Sequence, residues 1–177
     1  MPRPDGALGR IQRWDARLCE RSNRWLHHRP LLQGARLVSW LGNGIFWYAL
    51  MLAVLARSPR ESALPVLHML FVGVVCTAAY KMLKRGTLRP RPYQSLHGVE
   101  AGVMPLDAFS FPSGHTLHAV AFTLVALDYW PGLAPLLVPF TVLTAVSRVV
   151  LGLHYPSDVL AGALIGGLVA SASLVIS

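Results

Sequence analysis

The chain has 177 residues, 54% of them hydrophobic and 14% charged, with a formal net charge of +8. Such a composition is too apolar for a soluble domain of this size and points to one membrane domain. The positive charge comes with no RNA- or DNA-binding motif, so no nucleic-acid partner is expected, and Cys19 and Cys76 alone supply neither a disulfide framework nor a CxxC metal site.

The N-terminal segment carries Arg3, Arg10, Arg13, Arg17, Arg21, Arg24, Arg29 and Arg36. Between Gly6 and His28 the apolar residues Leu8, Ile11, Trp14, Leu18 and Trp25 recur at helical spacing among these arginines. That pattern predicts an amphipathic helix ended by Pro30, either lying on anionic headgroups or packed on the domain's own surface. Residues 1–36 are read as a basic arm and 37–177 as a transmembrane domain.

Five stretches without Asp, Glu, Lys or Arg follow, at Leu37 to Ala56, Ser62 to Tyr80, Ala108 to Leu127, Tyr129 to Ser147 and Val159 to Ser177. Each approaches the roughly 20 residues a helix needs to cross a bilayer core. The expected fold is therefore all-α, a polytopic bundle of about five transmembrane helices behind an interfacial helix. The first span starts too late for a cleaved signal peptide and is expected to stay as an anchor. In the last span Gly162, Gly166, Gly167, Ala163 and Ala170 allow close helix approach, with internal packing favoured over a dimer interface and the oligomeric state left open.

Polar residues near a membrane are costly, and here they gather in three places. The segment Lys84-Arg85-Gly86-Thr87-Leu88-Arg89-Pro90-Arg91-Pro92 closes the second span and opens the longest polar loop, Lys84 to Phe111. Alone it reads as a basic anchor. Phe111-Pro112-Ser113-Gly114-His115 sets a turn at a helix entry, where the backbone N–H groups of Ser113, Gly114 and His115 can meet phosphate oxygens. His115 adds a proton carrier. In Ser147 to Asp158, Arg148 interrupts an apolar run, His154 follows, and Asp158 stands four residues beyond, where it can accept a hydrogen bond from one imidazole nitrogen and leave the other free to attack. Taken singly, His154 also reads as a satisfied interfacial histidine and Asp158 as a helix cap.

Together these segments resemble the tripartite signature of the type-2 phosphatidic acid phosphatase family, whose site is shared by vanadium haloperoxidases. The resemblance rests on Lys84 with six residues to Arg91-Pro92, on Pro112-Ser113-Gly114-His115, and on Ser147-Arg148 with five residues to His154 and three more to Asp158. It implies that Lys84, Arg91 and Arg148 hold a phosphate, with Ser113 and Gly114 adding hydrogen bonds. His154 would attack phosphorus, Asp158 would orient it, and His115 would protonate the leaving oxygen. No cofactor and no metal are expected; His115 and His118 lack a carboxylate or cysteine to complete a ligand set, and His118 is expected to pack beside the site.

The apolar loop residues Leu96, Val103, Leu106 and Phe109 suit a substrate whose tail stays in the bilayer. Within the resemblance, undecaprenyl diphosphate is the first expectation, followed by phosphatidylglycerol phosphate, lipid A 1-phosphate and a polyprenyl-phosphate sugar phosphate. A vanadate-dependent haloperoxidase and a non-catalytic lipid-phosphate binder or transporter are the competing classes. The arm and the Lys84 to Phe111 loop are separated by two crossings and share one side of the membrane, which the arginine bias assigns to the cytoplasm of a bacterial-type inner membrane. Five spans are one fewer than in familiar bacterial relatives.

Overall fold

The computed structural model describes residues 6–105 and 107–176; Arg3, Leu106 and Ser177, named above, lie outside the described residues. Helix α1 spans Ala7–Asn23, a 3-10 turn Arg24–His27 follows, and α2 spans Arg29–Trp40. Pro30 opens α2 rather than ending the arm helix, because a first-turn residue has no intrahelical N–H bond to lose. A π turn, Leu41–Ile45, joins α2 to α3, Phe46–Arg57. Its Gly44 has φ of 113°, a backbone conformation that other residues rarely adopt.

Arg29–Arg57 forms the first membrane-length stretch, so it begins ahead of the charge-free window at Leu37. At about 1.5 Å per residue it reaches roughly 43 Å, well beyond a hydrocarbon core of about 30 Å. Arg29 and Arg36 can therefore remain helical at the membrane edge, with the charge-free stretch from Leu37 inside the same helical stretch.

The chain continues as α4 (Pro59–Thr87), a short α5 (Pro92–Ser95), α6 (Gly114–Tyr129), a 3-10 turn (Pro131–Leu133), α7 (Ala134–Val150) and α8 (Pro156–Ile176), with no strand among the described residues. Four stretches are long and apolar enough to cross a membrane: Arg29–Arg57, Pro59–Ser95, Pro131–Val150 and Pro156–Ile176. The fifth, α6, has 16 residues, because Ala108 to Ser113 remain outside the helix. It is the centre of the bundle, packed against α4, α7 and α8. Leu117, Ala119, Ala121, Phe122, Val125 and Ala126 bury nearly all round it, so it shows no lipid-facing stripe.

Helix α8 shows the opposite pattern. Asp158, Gly162, Gly166 and Ala170 are buried at every fourth position, while Leu160, Leu164 and Leu168 are exposed. A Cβ on Gly166 would lie 2.2 Å from the Leu117 carbonyl oxygen, and one on Gly162 2.6 Å from that of Ser113. The small residues thus serve internal packing of α8 on α6. Association in lipid rests on such close contact and on interhelical hydrogen bonds, as between Thr123 and Thr141 at 2.6 Å. Exposed Leu52, Phe71 and Val142 on α3, α4 and α7 give the outer surface its apolar character.

Helix α1 packs on the domain's own surface. Its stripe Asp15, Cys19 and Asn23 is buried against the domain, while Leu8, Ile11, Trp14 and the arginines point outward. Asn23 Nδ2 donates to the carbonyls of Glu100 (2.9 Å) and Val150 (3.0 Å), and its Oδ1 accepts the Glu100 N–H at 2.8 Å. The arm is thereby fixed to the same end of the bundle as the polar loop.

Candidate active site

Lys84 lies in the last turn of α4, buried, and Leu88 in the left-handed region turns the chain out of the helix. The prolines flanking Arg91 exclude helix up to that residue, which brings its guanidinium under the α7–α8 turn. There Arg91 Nη1 donates to the Leu153 carbonyl at 2.7 Å. His154 stands in that turn, 2% exposed, with its own N–H bonded to the Arg148 carbonyl at 3.1 Å.

The His154 ring is held from both sides. Nδ1 lies 2.6 Å from the Ser110 carbonyl oxygen, and Nε2 lies 3.3 Å from Arg91 Nη1. A carbonyl only accepts and a guanidinium only donates, so Nδ1 carries the proton and Nε2 presents its lone pair. Burial first, then the charges of Arg148, Arg91 and Lys84, holds His154 well below the ordinary histidine value. The neutral imidazole is therefore the resting form.

Asp158 was expected to accept the imidazole hydrogen bond, and the geometry corrects this. Its Oδ2 is 3.8 Å from Nδ1, beyond hydrogen-bond range, and Ser110 supplies the acceptor instead. Asp158 takes the Tyr155 N–H at 2.9 Å and Arg89 Nη1 at 2.6 Å. It thus acts as a cap of α8 and remains a nearby negative charge for an imidazolium.

Arg89 also reaches Asp15 Oδ2 at 2.7 Å and lies over the Tyr155 ring at 3.9 Å. Asp15 accepts the Ser157 N–H (2.9 Å) and hydroxyl (2.5 Å). The buried carboxylates of α1 and α8 therefore share one guanidinium.

Ser113 is fully buried and serves as N-cap of α6, its Oγ facing the Thr116 N–H. Its own N–H donates to the Asp158 carbonyl at 3.1 Å, so it does not point outward as expected. The N–H groups of Gly114 and His115, as first-turn residues, have no intrahelical acceptor. His115 is partly exposed, with Nε2 hydrogen-bonded to Asn43 Oδ1 of the π turn. His118 bridges the Gly114 carbonyl (2.8 Å) and Thr77 Oγ1 (3.1 Å) between α6 and α4.

The phosphate-binding candidates divide by partner. Asp107 Oδ1 and Oδ2 both lie 2.6 Å from Lys84 Nζ, and Oδ1 is 2.8 Å from Arg91 Nη2. Burial pushes the Asp107 carboxyl up, but the hydrogen bonds and charge of Lys84, and then Arg91, overcome it and hold the group below the usual range. A carboxylate thus sits on two of the three candidate phosphate cations. Arg148 is 3% exposed; its Nη1 bonds the Ser39 hydroxyl, and its Nε is buried with no partner among the described residues.

Ser110, Asp107, Arg89, Asp15, Ser39 and Asn43 were not identified as site residues from the sequence. Asp107 and Glu100 are the acids of the 84–111 loop, a weak signal at best. Asn43 stands between two glycines, which marks a break in a helix but no chemistry. No three His, Cys, Asp or Glu side chains among the described residues form a group able to hold a metal.

The fold is that of a multi-pass membrane helix bundle with a cation-lined histidine at one end. Residues 62–177 match the model of the PAP2 superfamily. The decaprenylphosphoryl-5-phosphoribose phosphatase of Mycolicibacterium smegmatis is 37% identical over 139 residues, 76% of this chain and 73% of that protein. The undecaprenyl-diphosphatase BcrC of Bacillus subtilis is 31% identical over 140 residues, 76% of this chain and 69% of that one. In structure, the transmembrane PAP2-type phosphatidylglycerolphosphate phosphatase of Bacillus subtilis superposes with a TM-score of 0.78 at 23% identity, covering 98% of this chain and 88% of that chain. The chain belongs to the PAP2 superfamily and is a membrane lipid phosphatase.

Proposed function

We propose that this enzyme removes the terminal phosphate of a polyprenyl lipid phosphate, undecaprenyl diphosphate first, through a phosphohistidine on His154. The observation that carries the reading is the fixed tautomer of His154. With Nδ1–H given to Ser110, the Nε2 lone pair faces Arg91, beside Lys84, where a phosphate's charge is best answered. The two relatives named above, each aligned over more than two thirds of its length, carry polyprenyl substrates in their names.

In this scheme the phosphate displaces the Asp107 carboxylate from Lys84 and Arg91, and Arg148 with the Gly114 and His115 N–H groups completes the cradle. Ser113 caps the helix that presents those groups. Nε2 attacks phosphorus in line, the bond to the leaving oxygen breaks, and His115 gives that oxygen its proton. Water then attacks the phosphohistidine, His115 takes the proton back, and Nε2 is released. Asp158 steadies the imidazolium by charge at 3.8 Å rather than by a hydrogen bond. Phosphoryl transfer is mostly positioning and charge neutralisation, and three guanidinium or ammonium groups with helix N–H donors meet that need.

Residues 1–36 are proposed to lie on anionic headgroups through exposed Arg10, Arg17, Arg21 and Arg24, with 37–177 as the catalytic membrane domain on the cytoplasmic side of an inner membrane. Phosphate release from a panel of undecaprenyl diphosphate, phosphatidylglycerol phosphate and lipid A 1-phosphate tests the substrate. The expected order places the diphosphate first by kcat/KM, and a parent active only on a non-prenyl lipid would overturn it.

A further inference from the structure

A cavity of about 130 Å³ opens beside the site, lined by Arg36, Ser39, Asn43, His115 and Arg148, with Trp40 and Met104 at its mouth. Lys84, Arg91 and His154 do not line it, whereas His115 and Arg148 belong both to it and to the proposed cradle, so it extends that site toward α2. His115 faces both functions, because the group that protonates the leaving oxygen must touch the leaving group. A leaving group protonated by His115 would lie against this cavity.

Its lining is chemically one-sided. It contains two guanidinium groups, an imidazole, a hydroxyl and an amide, and no carboxylate. Arg36 Nε donates to the Gly102 carbonyl at 2.8 Å, which anchors the guanidinium on the 96–110 loop. Arg36, Ser39 and Asn43 follow one another on one face of α2 and the π turn, at helical spacing. The buried Arg148 Nε without a partner adds a donor that no group of the described chain answers. Outside the cavity, Trp40 is 56% and Met104 90% exposed, an apolar rim along which a lipid chain can leave toward the bilayer.

We propose that this cavity is a binding subsite for a second phosphate, carried on the leaving group and recognised by Arg36 and Asn43, next to the Arg148 that holds the attacked phosphate. The proposal rests on the phosphatase reading above and narrows its substrate class. A leaving group that is itself a phosphate, as in a lipid diphosphate, places its charge against Arg36; so does a phosphodiester next to a sugar phosphate. A simple lipid monophosphate leaves Arg36 with nothing to bind. Selection for two phosphates thus lies on α2, outside the three signature segments.

The test compares the parent with Arg36→Ala and Arg36→Lys on undecaprenyl diphosphate, a polyprenylphosphoryl sugar phosphate and phosphatidic acid. A charge-assisted contact predicts that the ratio of kcat/KM for a two-phosphate substrate to that for phosphatidic acid falls by about 10- to 100-fold in Arg36→Ala. Arg36→Lys should recover part of it. Whichever two-phosphate lipid shows the larger fall identifies the source of the second anion. An unchanged ratio would overturn the proposal.

Thermal-shift titration of His154→Ala with inorganic pyrophosphate and orthophosphate decides the point without turnover. Pyrophosphate should bind more tightly, and the double variant with Arg36→Ala should lose that preference. Should the parent release phosphate from no lipid while the preference holds, the phosphatase reading fails and the subsite stands.

Discussion

The two sides of the site answer their positive charge differently. On one side Lys84, Arg89 and Arg91 meet Asp107, Asp15 and Asp158 in four ion pairs of 2.6 to 2.8 Å. On the other, Arg36 and Arg148 bond only neutral oxygens, those of Gly102 and Ser39, and neither forms an ion pair among the described residues. The difference separates two uses of a cation in a membrane protein. Arg89, shared by two buried carboxylates, ties α1 to α8, whereas under the proposal the cations left with neutral partners, and those that share the displaceable Asp107, receive an outside anion.

The comparison breaks most readily at Arg89. Arg89→Ala leaves Asp15 and Asp158, both fully buried, without their shared partner. A loss of about 3 to 5 kcal/mol of stability is expected, since removing one partner strands a buried charge. Detergent-solubilised protein should show the fall as a lowered Tm, with Arg89→Lys intermediate. A neutral Arg89→Ala would remove the structural role assigned to the paired side.

Arg148→Ala examines the other side. It should lower kcat/KM by about 100- to 1000-fold, as expected for loss of a donor aimed at developing charge. Its Tm should move much less than that of Arg89→Ala, because no paired carboxylate is stranded. Equal losses of Tm in the two variants would erase the distinction.

Asp107 joins the two uses, because it pairs cations that the phosphate needs. Asp107→Asn should tighten competitive inhibition by orthophosphate about threefold to tenfold, by removing a tethered competitor. Stability should fall less than in Arg89→Ala, because Asp107 itself is partly exposed although Lys84 and Arg91 are buried. Weaker orthophosphate binding would show that Asp107 arranges Lys84 and Arg91 rather than competing for them.

The smallest effect concerns pH. The unfolded chain protonates His154 near the ordinary histidine value of about 6.5, whereas the folded site accepts that proton only well below it. Between these values the unfolded state binds more protons, so stability falls as pH falls, by at most about 1.4 kcal/mol per pH unit. His154→Gln should flatten the decline of Tm between about pH 6.5 and 5.5. An unaltered slope would mean that His154 titrates alike in both states.

Much of this was legible in the sequence, and the exceptions share a cause. Charge-free windows located the crossings, and the glycines of α8 indicated a packed face, because hydrophobicity and small residues are local properties. The signature segments brought Lys84, Arg91, His115, Arg148, His154 and Asp158 to one end of the bundle. Their partners were not legible. Ser110, Asp107, Asp15 and Asn43 meet the site only through loops and helices distant in sequence, and a backbone carbonyl such as that of Ser110 carries no residue signature at all.

The most direct test is of His154 itself. Undecaprenyl diphosphate radiolabelled on its terminal phosphate, mixed with enzyme and quenched in alkali during turnover, should leave an acid-labile label on the peptide containing His154, and His154→Ala should carry no label and release no phosphate. Sustained phosphate release by His154→Ala would contradict the assignment of Nε2 as the attacking atom.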